Sequence, residues 1–336
     1  MKTILWRQYL IVILLACSAC RTKPDLREYK STRFAMGTVI EITVLDTSET
    51  RALQAIDDAF TEIQRIAGLF YEGNPSSPVY QFNHRTQPAC ELPPEVLGLV
   101  QRGIDLSRLT CGAFDMTVGV LLPLYDFKAR NPQPPADSAI ARRLPHVGYT
   151  KLTIDPNRHI LASSDPRTML AVGAIAKGYG VDQAIAVLER QGVAGAIVNA
   201  GGDLRVIPRI DGQPWRIGIQ HPRRSGEILR VLAIRNGAVT TSGDYEKYFI
   251  HDGRRIHHLI DPQTGRPAAN CQAVTVIAPT AEMADALATG LFVLGAEKGP
   301  DILNQVEGCA ALWVNPDGQT VMSPGFEAYT IKSAGR

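Results

Sequence analysis

The chain has 336 residues, 45% of them hydrophobic and 20% charged, with a formal net charge of +2. This is ordinary globular composition, with apolar material for a sizeable core. The near-balanced charge, with no basic stripe interleaved with aromatics, argues against a nucleic-acid binder.

Lys2 and Arg7 open the chain with positive charge, and Tyr9 to Ala16 (YLIVILLA) is an uncharged apolar run. A membrane-spanning helix needs about 20 such residues, so this run is too short to cross a bilayer and has the dimensions of a secretory signal. It closes on Leu14-Leu15-Ala16-Cys17, which resembles the lipobox of bacterial lipoproteins and makes Cys17 the expected lipidation site, with Cys20 its rival. The expected division is therefore a signal peptide over 1–16, a lipidated N-terminus and polar tether over 17–33, and a catalytic domain over 34–332. About 13 tether residues reach roughly 40 Å when extended, which keeps the domain close to the bilayer.

Val39–Val44 alternates in the manner of a strand, and Ser48 reads as the N-cap of an amphipathic helix to about Phe70. Residues 71–78 form a loop, and a second helix is expected from Pro94 to about Leu109. The Asn131-Pro-Gln-Pro-Pro stretch reads as a surface loop, and a strand pair follows near Leu152–Ile154 and Ile160–Leu161. A helix from about Ala176 to Arg190 leads into a buried strand at Ala196–Val198. Strands are then expected at Trp215–Ile219, Leu229–Ile234, Val239–Thr241, Tyr248–Ile250 and Val274–Ile277. Helix Ala281–Val293, a short helix and strand Ala310–Val314 complete the series. Strands and helices mix without clean βαβ alternation, so the fold class is α+β. Cys90, Cys111, Cys271 and Cys309 form no metal-ligand pair. An exported chain permits disulfides, but the irregular spacing fits free, buried thiols as well.

Several segments are unusual enough to need a chemical reason. In Gly112-Ala-Phe-Asp115-Met-Thr117, a carboxylate and a hydroxyl sit in an apolar context, either as a helix cap or as ligand contacts. Gly173-Ala-Ile-Ala-Lys177-Gly joins small residues, which admit close backbone approach, to a lysine at a helix start. Asn199-Ala-Gly-Gly-Asp203 follows a buried strand and reads equally as a ligand-facing turn or a plain hairpin. His257-His258 beside Ile260-Asp-Pro-Gln-Thr-Gly265 suggests one ring turned to a site and one turned away. Asp285 and Thr289 lie four apart on one helix face and are hard oxygen donors suited to Mg²⁺.

In order along the chain, these segments, with Met36-Gly-Thr, Tyr71, the Ser77…Asn83 spacing and Thr241-Ser-Gly-Asp-Tyr, resemble the ApbE family of FAD:protein FMN transferases. The resemblance implies an α+β, ApbE-like fold of two T-fold-like halves packed into one catalytic domain. It implies FAD as substrate, contacted by Met36, Tyr71, Ala113, Phe114, Asp115 and Lys177. It implies Mg²⁺ held by Asp285, Thr289 and the Ala174 carbonyl, with His258 as the catalytic base. The implied reaction moves FMN onto a threonine hydroxyl and releases AMP. The implied acceptors resemble NqrC- or RnfG-type subunits of membrane redox complexes, met at the periplasmic face of the inner membrane. One departure stands out, because Ala171 occupies the place where the family pattern has an aspartate. An FAD pyrophosphatase and a non-catalytic FAD-binding lipoprotein are the competing readings.

Overall fold

The structure is a computed structural model that describes residues 25–331. The apolar run, Cys17 and Cys20 lie outside the described residues. In chain order the elements are β1 (Arg27–Ala35), β2 (Thr38–Asp46), α1 (Glu49–Phe70), α2 (Pro78–Asn83), β3 (Ala89–Glu91), α3 (Pro94–Leu109) and α4 (Asp137–Arg143). They continue with β4 (Leu152–Asp155), β5 (Ile160–Ser163), α5 (Gly173–Arg190), β6 (Gly195–Ala200), β7 (Asp203–Ile207), β8 (Trp215–Gln220) and β9 (Ile228–Ile234). The last are β10 (Gly237–Gly243), β11 (Tyr248–His251), β12 (Arg254–His257), β13 (Ala273–Ala278), α6 (Ala281–Leu303), β14 (Ala310–Val314) and β15 (Thr320–Met322).

Eight strands form one antiparallel sheet in the order β1-β2-β6-β7-β10-β13-β14-β15. That order divides into two halves. The first runs β1-β2, helices including α1 and α5, then β6-β7; the second runs β10-β13, α6, then β14-β15. Each half is two strands, a helical layer and two strands, so the expected pair of halves exists as one continuous sheet. α1 is capped by the Ser48 hydroxyl and buries Ala52, Ile56, Phe60 and Ile63 on one stripe. That stripe joins α5, α6 and the inner face of the sheet in the main core, with Ile42, Val198, Leu287 and Trp313. The outer face of the sheet is covered in part by the β8–β9 hairpin, which buries Trp215, Ile217 and Leu232 against Leu204, Val239 and Leu312.

The expected α+β class stands, and the structure departs from expectation at the start of the domain. Residues from Arg27 to Arg33, expected in the tether, are edge strand β1, paired with β2 along its whole length. The alternation was masked because one face of the strand lies open. Tyr29 and Ala35 pack on the core, while Glu28 and Lys30 face outward, Lys30 pairing with Glu41 at 2.9 Å. Charged side chains on an exposed edge also discourage pairing with another chain. α6 breaks at Gly295, where φ is +72°, which separates the expected Ala281–Val293 helix from the short helix after it. Cys90, Cys111, Cys271 and Cys309 are unpaired, and Cys271 is buried. Among the described residues no helix is long and apolar enough to cross a membrane.

Candidate active site

A cleft of about 470 Å³ opens between the β1–β2 turn, the start of α5, the first turns of α6 and the segments around residues 113–127 and 258–262. Its volume falls within the roughly 300–1,000 Å³ of small-molecule sites. Met36, Ala113, Phe114, Asp115, Ala174, Lys177, His258, Asp285 and Thr289 all line it, although they come from positions up to 253 residues apart (289 − 36). Tyr71 does not: it is 64% exposed, and its ring folds back over Gly73 at the end of α1.

The ionic centre of the cleft follows from a close helix crossing. A Cβ at Gly178 would lie 2.2 Å from the Ala281 carbonyl oxygen, so only glycine lets α5 approach α6 this closely. The contact seats Lys177 beside Asp285. The Lys177 ammonium lies 3.0 Å from both Asp285 oxygens, 2.8 Å from Asp203 Oδ2 and 3.1 Å from the Gly173 carbonyl. The Gly178 N–H donates to Asp285 Oδ2 at 3.1 Å. Burial works against the lysine's charge, but Asp203 and Asp285 outweigh it and hold the ammonium above its ordinary value. For Asp285, burial and then the Asp203 charge push the carboxyl upward against the pull of Lys177. Two buried carboxylates thus share one ammonium, and burial beside a second carboxylate favours the protonated form of Asp285 more than in an ordinary aspartate.

Gly178→Ala is expected to cost about 1–3 kcal/mol through this overlap. The check is a lower urea midpoint at unchanged slope.

Asp182, one turn along α5, fixes the other side of the crossing. Its oxygens accept the Ala281 and Glu282 N–H groups at 2.9 Å, capping α6, and Arg205 pairs with it at 2.7 Å. The Asn199–Asp203 segment proves to be both things the sequence allowed. It is a tight hairpin with Gly201 and Gly202 at positive φ, and it delivers Asp203 to Lys177. Asp115 is spent on local structure: its oxygens accept Thr117 N–H and Oγ1 at 2.8 and 2.6 Å and Tyr149 N–H at 2.8 Å. It caps no helix directly, and it shapes the turn that presents Ala113 and Phe114. The Ser77…Asn83 spacing is structural as well. Ser77 Oγ donates to the Leu69 carbonyl, and the Asn83 amide exchanges two hydrogen bonds with the Leu170 backbone, pinning the approach to α5.

The two histidines separate as expected. His257 is buried, its Nε2 2.9 Å from the Ala268 carbonyl oxygen and its ring edge-on to Phe292, so it serves the core. His258 lines the cleft, and its Nδ1 is buried with no partner among the described residues. Burial, followed by the nearby Lys247, His257 and Lys177, lowers its pKa from 6.5 to about 4, so the ring is neutral at pH 7. The turn behind it is set by Asp261, which accepts Gln263 N–H at 2.8 Å and Thr264 Oγ1 at 3.1 Å.

Sequence reasoning missed three contributors. Glu72 lines the cleft beside Ala171 and accepts the Val172 N–H at 2.7 Å at the start of α5, which places a carboxylate next to the position where the family aspartate is absent. Tyr125 and Phe127 add an aromatic wall, their rings 6.0 Å apart and nearly parallel, with Tyr125 Oη donating to the Gly265 carbonyl. Nothing in the local pattern marks these residues, because they come from irregular backbone.

This geometry defines an α+β enzyme-like cleft in which a lysine–carboxylate centre, hard oxygen donors and a neutral histidine face one cavity. The chain belongs to the ApbE family, whose model matches residues 36–313. It is similar to the FAD:protein FMN transferase of Haemophilus influenzae, 32% identical over 308 residues, covering 87% of this chain and 88% of that protein. Its fold matches the crystal structure of the ApbE protein of Thermotoga maritima with a TM-score of 0.83 at 33% identity, covering 91% of this chain and all of that one. It also matches the flavin transferase ApbE of Vibrio cholerae, with a TM-score of 0.78 at 29% identity over 90% of this chain and 99% of that one.

Proposed function

We propose that this protein transfers FMN from FAD to a threonine hydroxyl of an exported or membrane-bound protein, with Mg²⁺ as cofactor and AMP as leaving group. The observation that carries the reading is the convergence of Lys177, Asp285, Thr289, Ala174 and His258 on one cleft in a chain of this family. In the step itself, the acceptor oxygen bonds to the FMN phosphorus while the bond from that phosphorus to the bridging oxygen breaks. The bridging oxygen leaves with AMP, and the hydroxyl proton passes to His258.

The donor set suits Mg²⁺. Asp285 and Thr289 share one face of α6 and line the cleft with Ala174, supplying a carboxylate, a hydroxyl and a carbonyl. Mg²⁺ keeps few protein ligands and shares phosphate oxygens, so this set fits it without a cluster of three His, Cys, Asp or Glu residues, none of which occurs among the described residues. When bound, the ion would neutralise charge on the pyrophosphate oxygens. Lys177, already charged, holds Asp285 in place beside it.

The signal and Cys17 support a lipid anchor and a place at the periplasmic face of a membrane. With β1 beginning at Arg27, residues 18–26 span at most roughly 30 Å, a shorter leash than the sequence alone suggested. Such an anchor would favour membrane-bound acceptors, of which redox subunits of the NqrC or RnfG type are the candidates.

The test is incubation with FAD, Mg²⁺ and an acceptor carrying a Ser/Thr-Gly-Ala-Thr segment. A fluorescent acceptor band is expected, abolished by EDTA and restored by excess Mg²⁺. AMP release at the same rate without any acceptor would instead identify an FAD pyrophosphatase. FAD binding with no AMP release would identify a carrier.

A further inference from the structure

Outside the flavin cleft, a second cavity of about 880 Å³ lies on the outer face of the sheet. Its floor includes the buried Thr43 of β2 and the half-buried Ile197 and Asn199 of β6, at the margin of the area that the β8–β9 hairpin covers. Its wall is strand β8, which among the described residues pairs with β9 alone.

Hydrogen bonding determines which way β8 points. The Ile331 N–H donates to the Val231 carbonyl, within an antiparallel bridge between Leu232 and Thr330. Val231 therefore turns its backbone away from β8. Gly218 lies opposite Val231, and in an antiparallel ladder both members of such a pair turn their N–H and C=O groups outward. Gly218 thus presents its backbone groups along the free edge, over the shelf. The glycine itself is accounted for by Ile228, whose side chain lies where a Cβ at Gly218 would go.

The shelf adjoins the cleft. Gly201, Thr241 and Glu246 line both cavities. Beyond Glu28 and Lys30, the same outer face of β1 and β2 carries Phe34 and Val39, cross-strand partners that are 75% and 56% exposed. They flank the Met36-Gly37-Thr38 turn that lines the cleft. An apolar pair, an unpaired strand edge and a cavity thus form one path to the cleft mouth.

We propose that this shelf docks the acceptor polypeptide as an extended segment that adds to β8 and feeds its hydroxyl side chain into the cleft. The proposal rests on the transferase reading. Strand addition uses main-chain bonds for affinity and accepts different side-chain sequences. The six residues of β8 provide a track of roughly 20 Å. A small-molecule substrate would need no such track.

Two full-length variants test it, with a small acceptor protein bearing a Ser-Gly-Ala-Thr segment as probe. Gly218→Pro removes an outward N–H without a β8–β9 ladder bond. The double variant Phe34→Asp, Val39→Lys replaces the apolar pair by an opposite-charge cross-strand pair, so the fold is retained. Both are expected to raise the acceptor KM at least tenfold, with kcat at saturating acceptor, FAD binding and acceptor-free AMP release unchanged. Wild-type KM in both variants overturns the proposal. So does a KM rise accompanied in both by loss of FAD binding, which would mark a merely structural effect. A wild-type protein that releases AMP but never labels the probe overturns the transferase reading itself, and the shelf with it.

Discussion

Replacing Asp285 by alanine is expected to slow FMN transfer about a thousandfold at saturating FAD and acceptor, close to 4 kcal/mol of barrier. The size follows from the carboxylate's double role. It is the one carboxylate in the oxygen set of Asp285, Thr289 and Ala174 that lines the cleft, and it is bonded through both oxygens to Lys177. Without it, Lys177 keeps Asp203 alone as its carboxylate partner, and the candidate metal set loses its carboxylate ligand. Excess Mg²⁺ should therefore fail to restore activity. FAD affinity should fall less than tenfold, because Met36, Phe114 and the Tyr125–Phe127 wall are untouched. Asp285→Asn keeps the volume and the Gly178 N–H acceptor, and should lose nearly as much rate with little loss of stability. The measurement is single-turnover transfer alongside flavin fluorescence quenching. Turnover within tenfold of wild type in the presence of Mg²⁺ would contradict the metal assignment and leave Lys177 as the principal charge in the cleft.

The parts of this centre that were legible in the sequence, and those that were not, divide along a physical line. Asp285 and Thr289 could be placed on one face of a helix because helical periodicity fixes that face locally. The helix from Ser48 to about Phe70 could be read as amphipathic for the same reason. Lys177 could be read only as a lysine at a helix start, because its partners Asp203 and Asp285 arrive from 26 and 108 residues away (203 − 177 and 285 − 177). Asp182 and Glu72 were invisible because their work is to hold backbone N–H groups of distant segments, at Ala281 and Val172, and no local pattern records that. The two halves were hidden differently: their likeness lies in strand order, not in residues. β1 was misjudged because its exposed face is charged, which in isolation resembles a tether. The family resemblance supplied what periodicity lacked, a reason to bring widely separated motifs together. The motifs that carry it do not include Glu72, which stands beside Ala171 in the cleft.

Replacing His258 by asparagine is expected to lower kcat by about 10²–10⁴-fold, the usual contribution of a positioned base, with the KM for FAD nearly unchanged. His258 lines the cleft in which a hydroxyl must lose a proton, and its Nδ1 is buried with no partner among the described residues. Its pH behaviour distinguishes this role from a structural one. With a pKa lowered to about 4 by burial and the surrounding cations, the free base is present throughout the neutral range. The acid limb that His258 imposes on kcat should therefore lie near pH 4, not near 6.5, and it should vanish in the asparagine variant. Stability carries the same signature. The unfolded chain protonates its histidine below 6.5 while the folded one does not until about 4, so the contribution is full above pH 6.5 and drains away as pH falls through that window. The gap corresponds to roughly 3 kcal/mol at most. Urea midpoints at pH 7 and pH 4.5 should therefore differ less in the variant than in the wild type. A kcat limb at 6.5 shared by both proteins would remove His258 from the base position and assign the proton to another group in the cleft.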